Sequence, residues 1–251
     1  MTHPETIDEV LVAMDRLLDR TVEENDPLGY FTCVYRTVTA RIRDGVRDGE
    51  FDDDERMERF DVVFAQRFLD AAEQHRTGRA PSRSWRVALS TPRHSVLVLQ
   101  HVLVGMNAHI NLDLGIAAAS IQDGDEIAEL RGDFDRLNDV LAEMVDRMQE
   151  ALGRVSPWTD LMDKVCGGLD EEVAGWSIGR ARQRAWELAE QLAAQQADHD
   201  RIVDGRDRLV ALLGGRLLHP VLLSTRIAVA AAARLERPSV RTVAEALLDP
   251  A

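Results

Sequence analysis

The chain has 251 residues, of which 45% are hydrophobic and only 5% aromatic, and its formal net charge at pH 7 is −14. A chain of this length can bury a substantial core. With so few aromatic residues that core must consist mainly of aliphatic side chains and Met, which favours packed helices. The acidic balance repels phosphate backbones, so we do not expect nucleic acid as a partner.

The cysteines and the apolar stretches exclude further classes of protein. Cys33 and Cys166 form no CxxC motif, so the sequence predicts neither a zinc knuckle nor a disulfide framework. The N-terminal stretch MTHPETIDEVLVAMDRLLDR is acidic and amphipathic, unlike a signal peptide. Polar residues interrupt the longest apolar run. We therefore expect a soluble, cytoplasmic protein that has no membrane partner.

Nearly every segment has apolar residues at helical spacing. In chain order, helices are predicted from Ile7, from Pro27 to about Gly49, from FDDDE to about Thr77, in PSRSWRVAL, at about residues 94–120, from about Ile127, in WSIGRARQRAWELAEQLAAQ, in HDRIVDGRDRLVALLGGRLL, and after Pro220 and Pro238. We find no strand alternation and no repeat. The predicted fold is a single all-α domain over residues 1–251, a multi-helix bundle around a buried central helix at about residues 94–120.

The central helix contains a polar stretch, GMNAHINLDLG, at residues 105–115. On a helix that turns about 100° per residue, His101, Gly105, His109 and Asp113 lie on one face. His109 and Asp113 are four residues apart, so they can converge on one cation, or Asp113 can orient His109 as a general base. Gly105 would leave room beside them for an ion, a water or a ligand.

A polar cluster in an apolar helix favours a functional pocket, because each buried polar group costs about 1–3 kcal/mol unless it has a partner. Asn107 and Asn111 border this cluster but point elsewhere, and we expect them to bind neighbouring backbone. The alternative is a closed hydrogen-bond network, in which His109 and Asp113 only stabilise the fold.

Facing helices offer further residues for the pocket. Asp61 shares a helix face with apolar residues, where a carboxylate needs a cation or a hydrogen-bond donor. Asp135 flanks an apolar stripe and is either a surface charge or a pocket carboxylate, while Asn138 borders the same stripe. Tyr30 could lend its hydroxyl to the cavity, although such a tyrosine is more often part of the core.

These residues support two hypotheses. The first is an enzyme in which a divalent metal (zinc, iron or manganese) activates water or a small substrate, with hydrolysis as the favoured reaction. Its metal ligands would be His101, His109 and Asp113, with Asp61 or Asp135, and the first three would also be catalytic. A metal-free version uses His109 as the general base. The second hypothesis is a non-catalytic helical binding or structural module. A small molecule is the predicted partner, and the patterns carry no signal of the oligomeric state.

Four segments in this order resemble an uncharacterised family of prokaryotic proteins of unknown function: FDVVFAQRFLDA, GMNAHINLDLG, DFDRLN and SIGRARQRAWELA. The resemblance extends roughly from Tyr30 to Leu192, and GMNAHINLDLG is its most specific piece. It implies a helical single-domain protein and no particular activity.

Overall fold

A computed structural model of the protein describes residues 3–94, 96–121, 124–155, 178–219, 223–236 and 238–248. These residues form helices and no strand, so the predicted all-α class is confirmed. The α-helices are α1 (Ile7–Glu24), α2 (Leu28–Asp48), α3 (Asp54–Arg76), α4 (Arg83–Leu89), α5 (Val98–Ala108), α6 (Leu114–Ile121), α7 (Arg131–Val155), α8 (Ile178–Ala194), α9 (His199–Leu218), α10 (Leu223–Leu235) and α11 (Val240–Leu248).

Local capping groups set the ends of the helices that surround the central one. The side chain of Asp53 accepts a hydrogen bond from the Arg56 N–H at the start of α3. Helix α2 ends at Gly49, whose φ of 72° lies in the left-handed region that glycine adopts readily. Ser82 caps α4 by accepting from the Trp85 N–H, and the Trp85 side chain is buried.

The central helix is interrupted by a π-helical turn. Helix α5 continues into a π turn at His109–Asp113 and then into α6. Within this turn the Leu114 N–H donates to the His109 carbonyl, five residues earlier. The continuous stretch Val98–Ile121 is long and apolar enough to cross a membrane, but 83% of its apolar window is buried inside the protein. This burial is typical of the core helix of a soluble protein.

The central helix contacts α2, α3, α8 and α9. Gly115 allows α6 to approach α8 closely, because a Cβ at this position would lie 2.5 Å from the Ala185 carbonyl oxygen. The largest hydrophobic cluster joins residues of α1 to residues of α11, so the two ends of the described chain share one core. Cys33 is a buried free thiol in α2, whereas Cys166 lies outside the described residues.

Candidate functional site

The π turn brings His109 and Asp113 into contact. His109 Nδ1 lies 3.3 Å from Asp113 Oδ2. Two other helices supply further donors to the same carboxylate, Arg67 Nε at 2.9 Å from α3 and Trp85 Nε1 at 2.7 Å from α4. Asp113 is only 1% exposed. Three donors therefore hold one buried carboxylate in a fixed position.

The surroundings of the pair determine its protonation. Burial alone would raise the pKa of Asp113, but the hydrogen bonds from His109 and Trp85 and the charge of Arg67 together lower it below its usual value. Burial lowers the pKa of His109, although Asp113 opposes this effect. At neutral pH we therefore assign an ionised Asp113 and a neutral His109. Because Nδ1 donates to Asp113, Nε2 is left with a lone pair.

Aromatic rings fix the orientation of the His109 imidazole. The Phe64 ring stacks on it with a centroid distance of 3.7 Å and an interplanar angle of 6°. The Tyr35 ring approaches edge-on at 4.3 Å. His109 Nε2 is buried, and none of the described residues forms a hydrogen bond with it. The imidazole is thus held rigidly while its basic nitrogen is unused.

His109 borders a cavity of about 60 Å³ between α2, α3, the central helix, α7 and α8. Four of its lining residues have polar side chains (Tyr35, Asp61, His109 and Arg182), but the surface that faces the cavity is apolar. A single water needs about 10–15 Å³ of such space, so the volume is sufficient for one small organic molecule.

Asp61 is the second carboxyl group at this site. It is 1% exposed, and within the described part of the chain neither of its carboxyl oxygens has a hydrogen-bond partner. Burial, and to a smaller degree the charge of Glu58, raise the pKa of Asp61 to about 7. The sequence predicts that this carboxylate needs a cation or a donor, and the described residues supply neither. Its carboxyl group is consequently poised between its two protonation states near neutral pH.

His101 does not join this site. Its Nε2 lies 3.3 Å from the Arg93 carbonyl oxygen, and its ring centroid is 5.7 Å from that of Tyr30. Burial lowers the pKa of His101 to about 4. Tyr30 likewise turns away from His109 and donates to the Pro238 carbonyl at 3.1 Å. These two residues belong to a separate region, where His101 borders a smaller cavity of about 20 Å³.

Gly105 leaves room on the side of His101 only. A Cβ at this position would lie 2.6 Å from Phe31 Cγ, so the missing side chain admits the Phe31 ring from α2 into the space beside His109. Gly105 and His101 line the smaller cavity of about 20 Å³, which has room for one water.

Asn107 and Asn111 tie the central helix to α9. Asn107 Nδ2 donates to the Val210 carbonyl at 2.9 Å, and Asn111 Nδ2 donates to Asn107 Oδ1 at 3.2 Å. Both asparagines are buried. Asn107 therefore binds backbone, as expected, whereas Asn111 binds the Asn107 side chain, and neither residue lines the cavity beside His109.

Of the five proposed metal ligands, the structure brings only His109 and Asp113 into contact. Asp135 is exposed at the surface and accepts a hydrogen bond from Arg131 at 2.8 Å, so its pocket role is wrong. The Asn138 side chain lies outside the described part of the chain. Within residues 3–248, apart from the gaps stated above, no three His, Cys, Asp or Glu side chains cluster as a metal site would require.

Sequence reasoning missed Arg182, the fourth polar residue of the cavity. It is 1% exposed and lies on the face of α8 that buries Ala185, Trp186 and Ala189. A charged residue on an apolar helix face is the same signal that identified Asp61. The long side chain of Arg67 reaches from α3 to Asp113 and forms an ion pair with it.

The comparisons with known proteins give a family that has no assigned function. The model described as "Family of unknown function (DUF5995)" matches residues 7–220. No curated protein and no solved structure matches the chain. The match includes the range from Tyr30 to Leu192 in which the sequence resembles a family of unknown function. Because it covers most of the chain, the protein belongs to this family of unknown function.

Proposed function

We propose that the protein is a soluble, cytoplasmic enzyme that binds a small organic molecule in the cavity and uses His109 as a general base. Asp113 orients the imidazole, and Nε2 takes a proton either from the bound molecule or from a water that attacks it. The second case is the hydrolysis of a small molecule. In either case Asp61 lies beside the reaction as a carboxyl group that can give or take a proton near neutral pH.

One observation carries this proposal: His109 lines the cavity, and its buried Nε2 has no hydrogen-bond partner among the described residues. Buried polar groups are almost always satisfied, and an unsatisfied one costs about 1–3 kcal/mol. A ligand or an ordered water that reached Nε2 would supply the missing donor. The same argument applies to the two Asp61 oxygens, which are also buried without partners in the described part of the chain.

The alternative of a purely structural network explains only part of the geometry. It accounts for Asp113, which receives three hydrogen bonds, and for Asn107 and Asn111. It does not account for His109 Nε2 or for the two carboxyl oxygens of Asp61, because these three atoms form no hydrogen bond in the described structure. A metal-dependent version would have to rely on these two side chains alone, whereas catalytic zinc sites use three protein ligands. We therefore favour the metal-free version.

The protonation of His109 can be tested without knowing the substrate. Nitrogen NMR of the histidine rings at pH 7 should show a neutral His109 with its proton on Nδ1 and a free Nε2. A ring protonated on Nε2, or on both nitrogens, would contradict the general-base role. Elemental analysis of protein purified without a His-tag tests the metal-dependent version in the same sample.

Catalysis is tested by incubating the protein with small esters, amides and hydroxy acids and following each by proton NMR. His109→Gln should slow any turnover by about 100-fold or more. His101→Gln is the matched control, since this buried histidine on the same helix lies outside the cavity. Equal losses in the two variants would point to a general effect on folding and would contradict the assigned role of His109.

A further inference from the structure

The cavity beside His109 has an apolar surface, although four of its lining residues carry polar side chains. Most of its wall consists of aliphatic, aromatic and methionine side chains from α2, α3, the central helix and α7. Among them are Val34, Val38, Ile42, Met57, Phe60 and Leu137. A molecule in the cavity would therefore contact carbon and sulfur atoms.

The polar side chains at this cavity direct their hydrogen-bonding groups elsewhere. Arg182 Nη2 donates to the Phe134 carbonyl at 2.8 Å, and the guanidinium carbon lies 5.3 Å from the centre of the Phe134 ring. Phe134 is not part of the lining. His109 Nδ1 lies 3.3 Å from Asp113 Oδ2, and Asp113 is also outside the lining. Within the described part of the chain, the cavity surface therefore offers a ligand neither a charge nor a hydrogen-bonding group.

Water is a poor occupant of such a cavity. An ordered water in a protein interior needs about two to four polar partners, and apolar cavities of about 150 Å³ stay dry and bind benzene or xenon instead. Protein interiors also contain few voids that are larger than a water molecule. A space of about 60 Å³ with an apolar surface is therefore suited to an apolar ligand.

We infer that the cavity binds an uncharged hydrocarbon group of about four carbon atoms. This inference rests on the proposed function, because it assigns the apolar part of the small organic molecule that the protein binds. A hydrocarbon group gains free energy when it leaves water for an apolar surface. A charged or hydrogen-bonding group would lose its hydration in this cavity without gaining a partner.

The volume of the cavity sets the size of this group. About 60 Å³ is less than the roughly 150 Å³ of a cavity that holds one benzene molecule, and it equals the space of roughly four to six waters. A branched group of about four carbon atoms agrees with both comparisons. Isobutene, acetone and acetate have the same number of non-hydrogen atoms in the same planar arrangement. They differ in polarity and charge and are therefore a matched set of probes.

The test is an NMR titration of the full chain with each probe at pH 7, observed at carbon-13-labelled methionine methyl groups. Met57 and Met106 line the cavity, so their signals should shift when isobutene binds. Met14 is buried in the core but is not part of the lining, and it serves as the internal control. Isobutene should bind about tenfold or more tightly than acetone, and acetate should cause no saturable shift.

Val38→Phe fills the cavity from α2. It adds as many carbon atoms as isobutene contains, so it should weaken isobutene binding by about tenfold or more. Val12→Phe is the matched control, because Val12 is 48% exposed and lies outside the lining, and it should bind isobutene as wild type does. Urea unfolding checks that both variants fold. If Val38→Phe does not fold, Val38→Leu adds a single carbon atom to the same wall and should weaken isobutene by a smaller factor, with Val12→Leu as its control.

Three results would overturn the inference. The first is acetone or acetate binding as tightly as isobutene does. The second is the absence of any isobutene-dependent shift at Met57 and Met106 in wild type. The third is wild-type affinity for isobutene in a folded Val38 variant.

Turnover separates this inference from the proposed function. If isobutene binds as expected but His109→Gln and His101→Gln lose turnover equally, the hydrocarbon site stands and the general-base role of His109 fails. If isobutene does not bind while His109→Gln alone slows turnover by about 100-fold, the hydrocarbon site fails and the proposed function stands.

Discussion

Asp113 and Asp61 are buried to the same degree, with 1% of each residue exposed, but their surroundings are opposite. Asp113 accepts hydrogen bonds from His109, Arg67 and Trp85. Asp61 accepts none from the described residues. The pKa of Asp113 is consequently lowered below its usual value, whereas burial and the charge of Glu58 raise that of Asp61 to about 7. One carboxyl group is fixed in its ionised form, and the other can change its state near neutral pH.

The Asp113 carboxylate therefore stabilises the fold, whereas the Asp61 carboxyl group does not. A buried carboxylate with three donors stabilises the helices that supply them. A buried carboxyl group without donors costs stability, and such groups are typical of sites that bind a ligand or transfer a proton. The His109 imidazole lies between the two cases, since Nδ1 is used by Asp113 and Nε2 is free.

The largest effect is expected for Asp113→Asn. This variant removes the negative charge and one acceptor oxygen, and it leaves buried donors of His109 and Trp85 without a good partner. Removing one partner of a buried charged network costs about 3–5 kcal/mol. The measurement is the free energy of unfolding from urea titration, together with the near-UV signal of the tryptophans.

Asp135→Asn is the matched control, because Asp135 also pairs with an arginine but lies at the surface, with 48% of its side chain exposed. Exposed pairs of this kind contribute less than about 1 kcal/mol. A loss for Asp113→Asn as small as that for Asp135→Asn would remove the distinction between the two buried carboxyl groups.

Asp61→Asn should raise the free energy of unfolding, which is the opposite of the effect expected for Asp113→Asn. Folding raises the pKa of Asp61 from 3.8 to about 7, so the folded protein binds this proton more tightly than the unfolded chain does. The stability that results is fully present below about pH 4 and is lost as the pH rises through 7. The pKa difference corresponds to at most about 4 kcal/mol. We expect Asp61→Asn to be more stable than wild type by about 2–4 kcal/mol at pH 8 and similar to it at pH 4.

The comparison between the two proteins isolates Asp61, because all other titrating groups are present in both. Asp61→Leu serves as a second variant, since it also lacks an ionisable group and places apolar atoms against the cavity. Urea unfolding at several pH values gives the required stabilities. A pH-independent difference between Asp61→Asn and wild type would show that a partner satisfies the Asp61 carboxylate in solution.

The sequence was sufficient for the helices because their signals are local. Apolar spacing predicts α1, α2 and α3, and the end of α2 at Gly49 follows from one residue with a left-handed backbone. The shared core of α1 and α11 could not be predicted from local signals, since it joins residues that are far apart in the chain.

The site residues were predicted from polar side chains that lie on the apolar face of a helix. This rule correctly predicted that Asp61 is buried. The spacing of four residues correctly predicted the contact between His109 and Asp113. The rule failed for His101 and Gly105, whose neighbours Tyr30 and Phe31 come from another helix. It also assumed a uniform α-helix and therefore could not foresee the π turn, which depends on a hydrogen bond from the Leu114 N–H to the carbonyl of His109.

The smallest effect concerns the Phe31 ring, which lies between the two regions. This ring lines the cavity together with Asp61, and its centroid lies 5.7 Å from that of Trp85, which donates to Asp113. Gly105→Ala would place a Cβ 2.6 Å from Phe31 Cγ, and such overpacking costs about 1–3 kcal/mol. Gly205→Ala is the control, because its Cβ would meet nothing within 4 Å and helix propensity should add about 1 kcal/mol. Urea unfolding should therefore show opposite signs for the two variants. If Gly105→Ala is as stable as Gly205→Ala, the Phe31 ring can shift into the cavity without a cost in stability. The packing around Asp61 would then be less rigid than the packing around Asp113.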